Sequence, residues 1–166
     1  RRTRLAAVNS INWTRVAAQS VYFAQAQAQL GPDRPIRIVV PTGNFGDALA
    51  GYVASRCGLL NHFEIVAAVN ANDAMARLLS GMPLAKGETT ATLSPAMDIQ
   101  LPSNFERLLF EASGRDGAAV ASAYATLAAK GAAPLPKAAA GKLCDMGLSA
   151  ERVSDHETMD EMKRAA

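Results

Sequence analysis

The chain has 166 residues, 49% of them hydrophobic, 19% charged and 5% aromatic. That is the size of one globular domain, able to bury roughly 70% of the surface its unfolded form exposes, and it excludes wholesale disorder. With 17 basic against 15 acidic residues the net charge is +2, which excludes a strongly basic nucleic-acid surface.

No apolar run approaches the ~18 residues of a bilayer span, and no secretory signal opens the chain. A cytoplasmic protein with neither membrane nor nucleic acid as partner is expected. Cys57 and Cys144 lack paired spacing and read as buried or free thiols, without disulfide or zinc. Arg1, Arg2 and Arg4 form the only dense basic run, and the opening RRTRLAAVNS reads as mid-protein sequence, so a fragment is expected.

From Asn12 to Leu30, Trp13, Val16, Ala17, Val21, Ala24 and Ala28 recur at helical spacing, with Gln19, Gln25, Gln27 and Gln29 mostly on the opposite face. Gly31-Pro32 ends that helix. The β-branched run Pro35 to Pro41 reads as a buried parallel strand, followed by the loop Thr42 to Asp47 and a helix to Cys57. Phe63 to Val69 is a second strand, and Asn72 is placed to cap a short helix over Asp73 to Ser80. This β-loop-α-β-α order predicts an α/β fold with a doubly wound parallel sheet flanked by helices.

Glu88 to Leu93 alternates as a strand would. Ser103-Asn-Phe-Glu106 has capping-box spacing before Leu108, Leu109 and Phe110. A helix follows over Asp116 to Lys130, then a broken helical stretch over Pro134 to Gly147. Ser154-Asp-His-Glu157 repeats the box and starts a last helix. Trp13 is expected in the core, the methionines in packing, and His62 and His156 at the surface without metal-ligand spacing.

The segment with chemistry is Pro41-Thr-Gly-Asn-Phe-Gly-Asp47, at the strand-to-helix junction. Glycines three apart let the backbone turn tightly and gather N–H groups, and the following helix adds its free donors and positive end. A phosphate monoester is the best-fitting ligand. The loop lacks G-x-x-x-x-G-K-[ST] and G-x-G-x-x-G, which disfavours nucleotide and dinucleotide sites. On spacing alone, a plain structural turn explains it equally well.

Five stretches together carry a specific resemblance. Asn9-Ser-Ile-Asn-Trp13, Val40-Pro-Thr-Gly-Asn-Phe-Gly-Asp-Ala-Leu-Ala-Gly-Tyr52, Asn70-Ala-Asn-Asp73, Leu93-Ser-Pro-Ala-Met-Asp-Ile99 and Ser103-Asn-Phe-Glu-Arg-Leu108 closely resemble threonine synthase, in the right order, over about Val8 to Arg115. The resemblance implies a pyridoxal-phosphate (PLP) enzyme of the tryptophan-synthase β-subunit fold (fold type II), converting O-phospho-L-homoserine and water to L-threonine and phosphate. It further implies that residues 1–166 are part of the PLP-binding large domain, with loop 42–47 binding phosphate. Gly43, Asn44, Phe45, Gly46 and Asp47 would serve the cofactor; Ser10, Arg15 and Asn44 would hold the substrate's phosphate.

The departure concerns the family's cofactor-holding lysine, set in a Ser-Phe-Lys-Asp-like segment. None of Lys86, Lys130, Lys137, Lys142 and Lys163 lies in such a context, and the family's C-terminal segment has no counterpart either. The piece alone is therefore expected to be inactive, with no catalytic residue of its own. A non-catalytic phosphate-ligand module of this fold and a related PLP lyase are the competing readings. Asp98, Ser103, Asn104 and Arg107 belong to the matching stretches without an assigned role.

Overall fold

The computed structural model describes residues 9–166. The basic run at Arg1, Arg2 and Arg4 lies outside them, as does Val8.

Helix α1 runs Trp13–Leu30 and starts as expected, with the Asn12 side chain accepting from the Thr14 amide. It stops at Gly31, whose amide bonds to the Gln27 carbonyl at φ 111. Its buried residues are Val16, Phe23 and Gln27, while Trp13 is 53% exposed. Two expectations are corrected here. Gln27 turns inward because the carbonyls of Gly31 and Arg34 need a donor, which its Nε2 supplies at 2.7 and 3.0 Å. Trp13 stays outside, where its ring lies 5.6 Å below the Arg107 guanidinium.

Strand β1 (Ile36–Pro41) leads through the loop to α2 (Gly46–Arg56), and strand β2 (Phe63–Val69) follows. Ile65, Val66 and Ala67 are buried in succession, as both faces of a covered sheet require. Helix α2 lies against both α1 and β2. Gly51 permits this closeness: a Cβ there would sit 2.5 Å from both Ile65 Cδ1 and Phe23 Cε1. Helix α3 (Ala74–Leu79) packs against β2 as well. Its N-cap is Asp73 rather than Asn72, which has other partners.

Residues 86–94 form no strand. The alternation at Glu88 to Leu93 misleads because side chains, not a neighbouring strand, claim this backbone: the Thr90 amide and carbonyl both bond to the Asn72 amide group, at 2.9 Å each. The short β3 (Leu84–Ala85) pairs antiparallel with β4 (Ala132–Ala133). Between them lie α4 (Phe105–Ala112) and α5 (Gly117–Lys130); Asp116 caps α5 through the Ala119 amide, and Gly131 closes it at φ 77. The broken stretch resolves into α6 (Lys137–Ala140) and a single 3₁₀ turn.

Strand β5 (Leu148–Arg152), not anticipated from sequence, joins β2 in parallel, so the sheet order is β1-β2-β5. Its exposed outer residues read as loop. The last helix, α7 (Asp155–Ala165), begins with a complete capping box between Ser154 and Glu157. The α/β fold with a parallel sheet flanked by helices is as expected from the sequence. Phe45, Leu49, Ile65, Phe105, Leu108 and Leu109 are at most 2% exposed and form the heart of the core.

Candidate functional site

The strand end and helix start set the loop's shape. Thr42, 3% exposed, closes it by accepting the Phe45 amide on its hydroxyl oxygen at 3.1 Å and donating that hydroxyl to the Asp47 carboxylate. The left-handed residue of the turn is Phe45, at φ 63, and neither glycine has a positive φ. Phe45 is held there by its ring, which is fully buried in the core. The glycines serve closeness instead. A Cβ on Gly43 would lie 3.0 Å from the Ala96 carbonyl oxygen, and one on Gly46 would lie 3.2 Å from Asn104 Nδ2.

This geometry leaves donors free. The backbone N–H groups of Gly43, Asn44, Gly46 and Asp47 have no acceptor among the described residues, whereas Phe45 and Ala48 spend theirs on Thr42 and Asp47. A hollow of about 110 Å³ opens beside them, lined by Ser10, Arg15, Gln19 and Thr42 together with Gly43, Asn44, Gly46 and Asp47. At ~30 Å³ per water it has room for roughly four waters, a scale that admits small oxyanions. Arg15 forms no ion pair among the described residues. Free amides, a helix N-terminus and an unpaired guanidinium suit an oxyanion.

The sequence-selected residues thus meet in one place, except Phe45, whose side chain does not line the hollow. Gln19 and Thr42 were not singled out. Gln19 sits one helical turn after Arg15, a spacing that places both on one face. All five lysines are exposed, and none lines the hollow.

Two solved structures share this architecture. A PLP-bound threonine synthase from Brucella melitensis superposes with a TM-score of 0.86 at 44% identity, over 93% of this chain and 33% of that one. The yeast threonine synthase gives 0.84 at 37% identity, over 96% and 33%. Among curated proteins, threonine synthase of Pseudomonas aeruginosa is 50% identical over 130 residues, 78% of this chain and 28% of the relative. That of Saccharomyces cerevisiae is 40% identical over 171 residues, 95% and 33%. No family model matches the sequence. The chain is a homologue of threonine synthase. It spans about a third of the length of these relatives.

The remaining stretches that resemble threonine synthase build the hollow's surroundings. Asn104, fully buried, donates from Nδ2 to the Ser10 carbonyl at 2.9 Å and to the Asn44 carbonyl at 3.2 Å. Arg107 donates to Asn104 Oδ1 and to the Ile11 carbonyl, each at 2.6 Å. Ser103 forms no capping box: its amide and hydroxyl donate to Asn44 Oδ1, at 3.4 and 3.2 Å, and α4 has no side-chain cap.

A second polar cluster joins the Asn70–Asp73 and Leu93–Ile99 stretches. Asp98 accepts from Asn70 Nδ2, Asn72 Nδ2, and both the amide and hydroxyl of Thr92, at 2.7 to 3.0 Å. These bonds, that from the Thr92 hydroxyl foremost, hold its carboxyl below the ordinary carboxylate range. The cluster fixes the turn that backs Gly43 and does not line the hollow.

A wider groove of about 750 Å³ runs between α2, α4 and α5, lined in part by Leu49, Tyr52, Phe110 and Val120. Two of its guanidiniums, Arg107 and Arg115, are already engaged by protein acceptors. Burial, foremost, pushes the Tyr52 phenol above its usual value. Cys57 and Cys144 are free thiols, both exposed. No described helix is long and apolar enough to cross a membrane.

Proposed function

We propose that this chain is the phosphate-gripping part of the PLP-binding large domain of a threonine synthase. The protein it serves converts O-phospho-L-homoserine and water to L-threonine and inorganic phosphate. The observation that carries the reading is the hollow at loop 42–47, with unclaimed loop amides in one wall and Ser10 and Arg15 in the other.

PLP fits this chain through its phosphate. The amides of Gly43, Asn44, Gly46 and Asp47 provide donors without a charged side chain, and α2 adds the positive end of its dipole. Phe45 contributes by shaping the turn, since its amide is spent on Thr42. Asp47 contributes its N–H, while its carboxylate is occupied by Thr42 and Ala48. When bound, PLP supplies the electron sink that makes the substrate's carbon-bound protons removable.

The chain's own residues act on phosphate. Arg15 supplies charge and a planar fork of donors, and Ser10 and Asn44 supply neutral donors. A phosphate held this way is first the recognition handle, drawing the substrate into register. It is later the leaving group, whose growing charge the same donors stabilise. The backbone amides cost little to reorganise, because Thr42 and the buried Phe45 ring already fix the turn. A cytoplasmic location and a small-molecule partner, with no nucleic acid or membrane, go with this reading.

The test is the complete gene product supplied with PLP and O-phospho-L-homoserine, following phosphate and threonine together. Equal yields of both products are expected, and Arg15→Ala should lower kcat/KM about 100-fold through loss of a charge-assisted contact to phosphate. An Arg15→Ala variant with unchanged kcat/KM overturns the assignment of the substrate-phosphate residues. PLP binding without turnover points instead to a non-catalytic phosphate-ligand module.

A further inference from the structure

We propose that Asn104 is a positioning residue for the phosphate hollow, holding the Ser10–Arg15 segment against the Asn44 loop in an orientation that Arg107 sets. The inference rests on the phosphate reading above and goes beyond it by naming what keeps the two walls in register.

Those walls come from separate parts of the chain. Ser10 and Arg15 stand at the start of α1, and Asn44 stands after β1. The Asn104 side chain bridges them, with Nδ2 between the Ser10 carbonyl at 2.9 Å and the Asn44 carbonyl at 3.2 Å. The Asn104 backbone amide adds a bond to the same Asn44 carbonyl at 3.1 Å.

Two orientations are available to an asparagine amide, and only one works here. Arg107 is purely a donor, so its 2.6 Å bond to Asn104 Oδ1 fixes the oxygen and turns the NH₂ toward the two carbonyls. Arg107 is itself held by the Ile11 carbonyl at 2.6 Å and by stacking on Trp13. The neighbouring residue repeats the logic on Asn44. The Ser103 amide can only donate, and it meets Asn44 Oδ1, so the donor end of Asn44 remains unclaimed among the described residues. A donor is what an anion needs.

Asn104 is fully buried and, among the described residues, every hydrogen-bond partner of its side chain except Arg107 lies in a wall of the hollow. Without its Nδ2, the buried bridge between the walls is lost: the Ser10 carbonyl has no donor among the described residues, and the Asn44 carbonyl keeps only the Asn104 backbone amide. Asn104 touches no ligand in this arrangement; it acts through Ser10, Arg15 and Asn44.

The experiment is titration of the complete gene product, prepared without PLP, with inorganic phosphate by calorimetry and ³¹P NMR, using wild type, Arg15→Ala, Asn104→Ala and the double variant. Asn104→Ala should weaken phosphate about tenfold, the scale of one buried hydrogen-bonding group left unpaired. Arg15→Ala should then cost at least threefold less in the Asn104→Ala background than in wild type, because the arginine is already misplaced. Losses that simply multiply, or wild-type affinity in Asn104→Ala, overturn the positioning role while leaving the phosphate reading intact. Phosphate affinity that is unmeasurable in wild type, or unaltered by Arg15→Ala, overturns the phosphate reading and this inference with it. Arg107→Lys keeps the charge but cannot span Asn104 and Ile11 together, so it gives the same coupling test if Asn104→Ala does not fold. Its loss should again be non-multiplicative with Arg15→Ala, and independence overturns the role.

Discussion

Gly43→Ala and Gly141→Ala make the same chemical change with opposite expected signs. At Gly43, an added Cβ would lie 3.0 Å from the Ala96 carbonyl oxygen and 3.1 Å from both Met97 Cα and Ile99 Cδ1. The isoleucine end can rotate away. The other two atoms are backbone, in a turn that Asp98 ties to Asn70, Asn72 and Thr92. Overpacking of this kind costs about 1–3 kcal/mol, and the lower unfolded-state entropy of alanine returns about 0.4–1 kcal/mol. The net loss is about 1.5 kcal/mol, or about 3–6 °C in Tm for a domain of this size. Gly141 has φ −85 and ψ −18 with no atom of the described residues within 4 Å of the added Cβ, so only the entropic gain applies. Its Tm should rise by about 1–4 °C. Thermal melts and urea titrations of both variants provide the check. A Gly43→Ala variant as stable as Gly141→Ala would refute the argument that this glycine exists for close approach of the 95–99 turn.

The Tyr124 hydroxyl is buried without a hydrogen-bond partner among the described residues, so Tyr124→Phe should leave stability unchanged or raise it by up to about 1 kcal/mol in urea unfolding. Ser154→Ala removes the capping box of α7 and should cost about 1 kcal/mol, visible as faster amide exchange in residues 155–158. The Asp98 carboxyl titrates below its usual value in the folded chain. Its contribution is therefore complete above the unfolded pKa of ~3.9 and is lost as pH falls through the depressed folded value. Asp98→Asn should thus lower Tm at pH 7, with the gap to wild type closing as pH falls toward 3; a gap independent of pH would sink the assignment.

Much of the fold was legible because its signals are local. Asn12 and Gly31 bracket α1, Asp116 and Gly131 bracket α5, and two apolar β-branched runs mark β1 and β2. What escaped depends on partners far away in sequence. The same S-x-x-E pattern forms a box at Ser154 but not at Ser103, because Asn44, 59 residues distant, takes the Ser103 donors. Strand β5 lacks an apolar run of its own and becomes a strand by pairing along β2. Gln27 belongs by type to a wet helix face, and two carbonyls beyond the helix end bring it inside.

The site divides along the same line. Loop 42–47 announces a place for an anion through its glycines at a strand-to-helix junction, yet the glycines turn out to give room to neighbours, while the left-handed turn falls on Phe45. A phenylalanine holds that conformation only because the core grips its ring, so the core helps set the direction of the free amides. The Asn104–Arg107 brace shows no pattern that periodicity or spacing would select, since its meaning lies in carbonyls of Ser10, Ile11 and Asn44. The matching stretches are therefore of two kinds. Ser10, Arg15 and the 42–47 loop face the hollow, whereas the 70–73, 93–99 and 103–108 stretches brace it from behind. Substitutions at the half-exposed Ser10 or the exposed Arg15 should change anion affinity with little loss of stability, and those in the second kind should change both together.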